Sequence, residues 1–138
     1  MGTLDWLARE LIVHTSRTKK SADFTAHLEQ LDRLYGPRPG TPPGKPVVLV
    51  LDNGPIHVSK ASRAALAARE HWLTVEWLPK YAPELNDIEI VWGQLKSRHL
   101  AHQTFADPDT LDRSIHAAVA ELNRERKRYP LAKLRISA

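Results

Sequence analysis

Apolar and polar positions follow two different periods along the first third of the chain. The stretches TLDWLA and ELIVHTS flank a short turn near Arg9, a pattern typical of a β-hairpin. Residues 21–36 then repeat apolar side chains at helical spacing and end on Gly36, which predicts a helix. The apolar face of this helix consists of Phe24, Leu28, Leu31 and Tyr35.

The next stretches predict strands that alternate with helices. GPRPGTPPGKP holds five prolines and three glycines, so it is a loop. VVLVL, residues 47–51, is aliphatic throughout, which indicates a strand covered on both faces of a sheet. Residues 59–71 are Ala-rich and helical, whereas LTVEW alternates and predicts a second, more exposed strand.

Two further helices are predicted in the last part of the chain. The first runs from about residue 86 to about residue 101, after a Pro-rich loop. The second begins with Asp107 as its N-cap and Pro108 in its first turn. Its predicted core face consists of Leu111, Ile115, Val119 and Leu122.

The resulting order, β-β-α-β-α-β-α-α, favours an α/β fold with a mixed sheet and helices packed on it. A chain of 138 residues fits one domain and can bury a core without covalent staples. The absence of cysteine excludes disulfides and thiolate chemistry. No apolar run approaches the roughly 20 residues of a membrane span, and MGTLDWLARELI lacks the pattern of a secretory signal. We therefore expect no membrane partner.

The net charge of +4 is unevenly distributed along the chain. Residues 1–89 carry 11 basic and 11 acidic side chains, whereas residues 90–138 carry 9 basic and 5 acidic ones. A basic C-terminal part is compatible with a polyanion such as DNA, and equally with a merely solvated helix end. The candidate DNA-contacting residues are Lys96, Arg98, Arg124, Arg126, Lys127 and Arg128.

Two carboxylates lie at the ends of predicted elements. Asp52 comes where the buried strand stops, the position at which open α/β sheets bind ligands. The triplet DNG is also an ordinary turn signal. Glu89 lies three residues after Asn86, which is the spacing of a capping box, so it also has a structural interpretation.

A glycine one turn after Glu89 favours a functional role for that carboxylate over a purely structural one. Gly93 follows Glu89 on the same helical face, and Lys96 follows on the next turn. A glycine inside a helix lowers stability by about 1 kcal/mol relative to alanine. It is tolerated where another group must approach the helix backbone closely. Two acids at a strand end and a helix start could converge on hard cations such as Mg²⁺, which bind carboxylate oxygens and retain waters. The residues alone thus indicate a candidate Mg²⁺ site. A pair of such ions can stabilise the attacking and leaving oxygens of an in-line phosphoryl displacement.

The two acidic stretches resemble a known family. VVLVLDNGPIH, followed by YAPELNDIEIVWGQLK, is similar to the second and third acidic motifs of DDE-superfamily transposases, in the mariner and bacterial insertion-sequence branch. In that family a strand ending in D-N-x-x-x-H precedes a Pro-Asp/Glu-Leu-Asn-Pro-Ile-Glu segment that opens a helix. Here 36 residues separate Asp52 from Glu89, and Asp87 stands at the usual proline. FTAHLEQL also resembles the family helix before the second motif.

The resemblance implies a ribonuclease-H-like fold and two-metal cleavage and strand transfer of DNA. It implies that Asp52 and Glu89 are catalytic, metal-binding residues, with Mg²⁺ or Mn²⁺ as cofactor. His57 and Asn53 match family positions but receive no chemical step. The implied partners are DNA at transposon ends and target, in a bacterial cytoplasm near the nucleoid.

The first acidic motif of the family, with the strand that carries it, has no counterpart in this sequence. GTLDWLARELIVHTS resembles the family's second and third strands, and Asp5 on this hairpin does not match the first acid. We therefore expect residues 1–138 to be a single, partial catalytic domain that lacks the first strand and has little cleavage activity by itself. The open strand edges predict association, most simply as a homodimer. The alternative is a catalytically inactive, DNA-binding or self-associating remnant of a mobile element.

Overall fold

The computed structural model describes residues 1–42 and 44–128, and it forms four strands and five α-helices in the predicted order. The predicted helix over 59–71 is observed as the shorter helix Lys60–Ala67. One further helix, Pro55–Val58, precedes it and was not predicted. A 3-10 turn, Pro83–Leu85, and a π-helical turn, Leu95–His99, complete the order. The elements are β1 Gly2–Asp5, β2 Glu10–Val13, α1 Ser21–Tyr35, β3 Val47–Leu51, α2 Pro55–Val58, α3 Lys60–Ala67, β4 Leu73–Trp77, α4 Ile88–Gln94 and α5 Pro108–Arg128.

Internal contacts divide the chain into two compact units. The first contains Met1 and His14–Asn86, and the second combines Gly2–Val13 with the described residues from Asp87 onward. The assignment of residues 1–138 to one partial catalytic domain stays a prediction. Among the residues that the structure describes, no helix has the length and apolar character needed to span a membrane.

The second unit builds its core between the hairpin and the C-terminal helices. Strands β1 and β2 pair antiparallel, from Gly2 opposite Val13 to Asp5 opposite Glu10, as the hairpin pattern predicted. Asp107 caps α5 as predicted, since its Oδ1 accepts a hydrogen bond from Thr110 N at 2.7 Å. The buried core residues of this unit are Leu11, Val13, Val91, Leu95, Ala118, Val119 and Leu122.

The predicted core face of α5 is correct except at its first residue, Leu111. Val119 and Leu122 are buried, and Ile115 packs against the core. Leu111 is 37% exposed and does not belong to the core. The hydrophobic period therefore located the helix correctly but overestimated how far along it the burial extends.

The first unit contains a parallel ladder in which β3 pairs with β4, from Val47 opposite Leu73 to Leu51 opposite Trp77. Leu49 and Leu51 are buried, whereas Val48 and Val50 are 58% and 53% exposed. The expectation that β3 is covered on both faces is therefore wrong. Successive side chains of a strand point to opposite faces, and only one face of β3 is covered.

Helix α1 packs on α3 in the first unit, and both the core and one ion pair fix this contact. Phe24, Leu28 and Leu31 of α1 are buried, as predicted, and Leu66 is the buried apolar residue of α3. The Arg69 guanidinium, just beyond α3, donates to the Asp32 carboxylate of α1 with an Nη2–Oδ2 distance of 2.5 Å. This pair is partly buried, and each charge that loses contact with water is neutralised by the opposite charge of its partner.

Candidate metal centre and basic surface

The segment after β3 is held firmly against the end of β4. Leu78 N donates to Leu51 O at 2.8 Å, so the hydrogen bonding between the strands continues one residue past the end of β4. The side-chain amide of Asn53 donates to Leu78 O at 2.5 Å. Asn53, which received no role from its motif, therefore anchors the loop that begins with Asp52.

One oxygen of the Asp52 carboxylate is fully engaged by its own loop. Oδ1 accepts a hydrogen bond from Gly54 N at 2.8 Å and lies 2.7 Å from His57 Nδ1. An ionised carboxylate only accepts hydrogen bonds, so His57 Nδ1 carries the proton in this contact. The Asp52 side chain is 49% exposed, and its Oδ2 has no hydrogen bond or ion pair with any residue that the structure describes.

Gly54 allows the loop to close on this carboxylate. A Cβ atom added at Gly54 would lie 2.8 Å from Asp52 Oδ1. This distance is shorter than a carbon–oxygen contact permits, so a larger residue would displace the carboxylate or the backbone. The glycine of the DNG triplet thus serves the contact to Asp52 as well as the turn.

His57 reaches Asp52 because α2 turns the chain back toward the end of β3. Its ring lies on the ring of Phe24, with the centroids 4.7 Å apart and the planes at 54°. The His57 side chain is only 17% exposed. The sequence analysis identified the D-N-x-x-x-H spacing but did not predict the hydrogen bond between His57 and Asp52. The spacing alone does not show that Nδ1 of the ring contacts the carboxylate.

Glu89 lies in the first turn of α4 and is exposed. The residue at the N-cap is Asp87, and its side chain makes no capping hydrogen bond. The capping-box interpretation of Asn86 and Glu89 is therefore wrong. Glu89 makes no hydrogen bond or ion pair with the part of the chain that the structure describes, so its carboxylate has no structural partner there.

The helical face beside Glu89 is open. A Cβ atom built at Gly93 meets no heavy atom within 4 Å among the described ranges, and Gly93 is exposed. No part of its own unit therefore requires glycine at this position. The space next to the carboxylate is accessible to a molecule outside the chain.

Asp52 belongs to the first unit and Glu89 to the second, so their convergence on one metal stays a prediction. Within either unit, residues 1–42 and 44–128 contain no cluster of three or more His, Asp or Glu side chains arranged to hold a metal ion. The donor chemistry nevertheless fits Mg²⁺ or Mn²⁺, because Asp52 and Glu89 both present exposed carboxylate oxygens. Each carboxylate leaves room for the waters that Mg²⁺ retains.

The candidate basic residues fall into two groups. Lys96 and Arg98 are exposed on the π-helical turn, and Arg128 is exposed at the end of α5. Arg124 is 74% exposed and pairs with Glu121 at 2.5 Å, a contact open to water and easily exchanged for another anion. These four residues, Lys96, Arg98, Arg124 and Arg128, are called the outer basic residues below.

The other two basic residues contact the hairpin. Arg126 Nε donates to Arg9 O at 3.4 Å, and burial lowers the pKa of the Arg126 guanidinium. Lys127 Nζ forms an ion pair with Glu10. Arg126 and Lys127 therefore attach α5 to the hairpin in addition to any contact with DNA.

Comparisons with known proteins agree with the sequence resemblance. Residues 1–112 match the family described as DDE superfamily endonuclease. The comparison with curated protein sequences found no match. A chain in the cryo-EM structure of the simian T-cell lymphotropic virus intasome in complex with PP2A regulatory subunit B56 gamma is similar, with a TM-score of 0.64 and 18% identity. The match covers 86% of this chain and 39% of that chain, so this chain spans about two fifths of its length. The likeness confirms the predicted ribonuclease-H-like α/β fold.

Proposed function

Because the chain belongs to the DDE superfamily of endonucleases, we propose that it is part of a transposase catalytic domain for metal-dependent DNA cleavage and strand transfer. Asp52 and Glu89 are the proposed catalytic and metal-binding residues, and Mg²⁺ or Mn²⁺ is the proposed ion. The observation that carries this proposal is the Asp52 carboxylate, which is exposed at the end of β3 with one oxygen engaged by the protein and the other unengaged by any described residue.

The divalent ions, when bound, supply charge stabilisation for the attacking and leaving oxygens of an in-line phosphoryl displacement. The residues of the chain provide the carboxylate ligands and their orientation. Asp52 is oriented by the loop after β3, and Glu89 extends from the first turn of α4 beside the open face at Gly93. A DNA backbone that approached this face would find space beside the glycine.

We assign contact with the DNA backbone to the predicted basic residues, and chiefly to the four outer ones. Lysine and arginine side chains bind phosphates and fix the position of the protein on the duplex without reading its sequence. Arg126 and Lys127 already contact the hairpin, so their contribution to DNA binding is smaller. The proposed partners are the transposon ends and the target DNA.

The second candidate function is a self-associating, DNA-binding protein without catalytic activity. The observation that favours it is the exposed face of β3, where Val48 and Val50 are 58% and 53% exposed. β-Branched residues on an exposed sheet face favour contact with another copy of the chain. A homodimer formed in this way is compatible with either function.

Metal binding by the intact chain tests the proposal. Mn²⁺ is titrated into ¹⁵N-labelled protein, and paramagnetic broadening of amide signals near residues 52 and 89 is measured. We expect Asp52→Asn to remove the broadening near residue 52, and Glu89→Gln to remove it near residue 89. Asp87→Asn is the matched control, because Asp87 is also exposed at the start of α4 and makes no capping bond. If Asp52→Asn and Glu89→Gln broaden like the wild type, the proposed metal site is wrong.

A cleavage assay separates the two candidate functions. The protein is incubated with a transposon-end duplex and Mg²⁺, and nicked strands are counted. Cleavage that disappears in Asp52→Asn establishes the catalytic function. Duplex binding without Mn²⁺ binding favours the non-catalytic candidate, whereas Mn²⁺ binding with little cleavage is the result expected of a partial catalytic domain.

A further inference from the structure

The contacts around Asp52 form a continuous series that begins in the buried core of the first unit. Ser62, which is 0% exposed, donates its hydroxyl to Ile56 O in α2. Ser59 Oγ donates to Ser62 Oγ at 2.9 Å and lies 2.7 Å from Ser21 Oγ at the start of α1. Helix α2 is only four residues long, so these hydroxyl contacts, rather than its own backbone bonds, fix its position.

The His57 ring is held within this framework from two sides. It packs against the Phe24 ring with the two planes tilted at 54°, Phe24 is 2% exposed, and the His57 backbone belongs to the anchored α2. The ring therefore has little freedom to rotate. The Nδ1–H group is directed at Asp52 Oδ1, 2.7 Å away, at the distance of a charge-assisted hydrogen bond.

We propose that His57 is a positioning residue for the metal-binding carboxylate. Together with Gly54 N, it occupies Oδ1 of Asp52 and leaves Oδ2 as the single oxygen that ligates a divalent cation. This inference rests on the proposed function, since it assigns the orientation of one ligand in that metal site. Asp52 would hold the metal ion through this one oxygen, and the ion would supply charge stabilisation for a phosphate oxygen.

The physical reason is the cost of ordering a ligand. A carboxylate on an exposed loop rotates about two side-chain bonds, and that freedom is lost when it binds a metal ion. Two hydrogen bonds to Oδ1 remove the freedom before the ion arrives. Groups that orient a metal ligand in this way typically change metal affinity by about 10–100-fold when they are removed.

A purely structural role for His57 makes different predictions. If the ring served only to pack against Phe24, any aromatic residue of similar size would replace it. If the hydrogen bond to Asp52 is what matters, the donor must be kept and the ring is dispensable. Two substitutions separate these cases, because His57→Phe keeps the ring and loses the donor, whereas His57→Asn keeps a donor near the position of Nδ1 and loses the ring.

The first measurement uses the metal-free protein. Long-range ¹H–¹⁵N correlation spectra of the histidine rings report which nitrogen of His57 carries the proton. We expect a protonated Nδ1 in the wild type and a change toward the Nε2–H tautomer in Asp52→Ala. An unprotonated Nδ1 in the wild type would overturn the inference, whatever the result of the metal titration.

The second measurement is the Mn²⁺ titration with the position-57 variants. We expect His57→Phe to weaken Mn²⁺ binding at Asp52 by about 10-fold or more, and His57→Asn to recover most of that loss. The thermal unfolding of each variant shows whether it is folded, and if His57→Phe is not folded, His57→Asn compared with His57→Ala replaces it. Equal Mn²⁺ affinity in the wild type and in the donor-free variant overturns the inference.

The failure of the proposed function gives a distinct result. If the wild type itself shows no Mn²⁺-dependent broadening at residue 52, the metal site is absent and the proposed function fails together with the metal part of this inference. If the wild type binds Mn²⁺ through Asp52 but His57→Phe binds it equally well, only the role of His57 is wrong.

Discussion

The side chain of Asn123 pairs with both backbone groups of Leu11. Its Oδ1 accepts from Leu11 N at 2.8 Å, and its Nδ2 donates to Leu11 O at 3.0 Å. The amide of a helix residue thus takes the place that a neighbouring strand would take along β2. Arg126 and Lys127 of the same helix contact Arg9 and Glu10, so α5 holds the hairpin at three successive residues.

Asn123→Ala is expected to destabilise the chain by about 1–3 kcal/mol, because Leu11 is 2% exposed and its backbone groups lose their partners. Asn123→Asp keeps the acceptor for Leu11 N but places a carboxylate oxygen against Leu11 O, so it is also expected to destabilise the chain. Chemical denaturation of both variants measures the change in the free energy of unfolding. Glu121→Ala on the same helix is the control, because its side chain is 47% exposed. An Asn123→Ala variant as stable as that control contradicts the prediction.

His27 makes the stability of the first unit depend on pH. It is 2% exposed, and burial lowers the pKa of its imidazole to about 4 from an ordinary value of 6.5. The positive charge of the Met1 ammonium also lowers the pKa of His27, and a hydrogen bond with Gln30 raises it. The unfolded chain therefore takes up the proton first, and stability that is fully present above pH 6.5 is lost as the pH falls toward about 4.

The expected loss from His27 is on the order of 3 kcal/mol over that interval. It is measured by denaturation at a series of pH values for the wild type and for His27→Leu, which cannot titrate. We expect the leucine variant to lose less stability between pH 6.5 and pH 4 than the wild type. His71→Gln removes an exposed histidine of the same unit and should leave the wild-type slope unchanged. Parallel curves for the wild type and His27→Leu would show that His27 does not cause the dependence.

A methyl group at position 54 is expected to damage the proposed metal site. In Gly54→Ala the new Cβ would lie 2.8 Å from Asp52 Oδ1, so the carboxylate must rotate or the loop must shift. We expect Mn²⁺ binding at Asp52 to weaken by about 10-fold or more. Gly44→Ala is the matched control, since its Cβ meets no described atom within 4 Å. Unchanged Mn²⁺ affinity in Gly54→Ala would mean that the loop tolerates the displacement.

DNA binding is expected to be weak, independent of sequence and sensitive to salt. Neutralising Arg124 and Arg128 to glutamine should lower the affinity for a duplex and reduce the slope of log affinity against log salt by about 1 for each phosphate that is no longer bound. The control is Lys60→Gln with Lys80→Gln, which removes the same charge from exposed positions of the first unit. Fluorescence anisotropy with two unrelated duplexes at two salt concentrations provides the data. Equal effects of the two double variants would indicate a general charge effect rather than a basic surface in the second unit.

Self-association is expected to depend on the exposed face of β3. Replacing Val48 and Val50 with threonine keeps the β-branched shape but makes the face polar, so the dimer should dissociate at a higher concentration than in the wild type. Leu34→Thr changes an apolar residue of α1 that is 51% exposed and serves as the control. Sedimentation velocity at several concentrations gives the result. A wild type that remains monomeric at high micromolar concentration would rule out this surface as an interface.

Helices and strands with a strong local sequence signal were predictable, whereas the packing of other elements against them was not. The alternation around Arg9 indicated the hairpin, and Asp107 followed by Pro108 indicated the start of α5, because both signals are local. The burial of Val48 and Val50 was predicted incorrectly, since an aliphatic strand does not reveal how many layers cover it.

The motifs predicted which residues form the candidate site but not the contacts around them, and the metal-binding roles of these residues stay predictions. Asp52 and Glu89 were recognisable from their motifs, and the structure removes the capping alternative for Glu89. The contact between His57 and Asp52 depends on a turn of helix that only the folded chain defines. Likewise, the attachment of Arg126 and Lys127 to the hairpin depends on partners more than 100 positions away in the chain.

The second unit has its hairpin at one end of the sequence and its helices at the other. Leu11 and Asn123 are 112 positions apart in the chain. Because ribosomes add roughly 5–20 residues per second, about 6–22 s pass between the synthesis of Leu11 and that of Asn123. The first unit is synthesised completely within that interval. During translation the hairpin therefore remains an unprotected edge, and chaperones or a neighbouring nascent chain can bind it before α5 emerges.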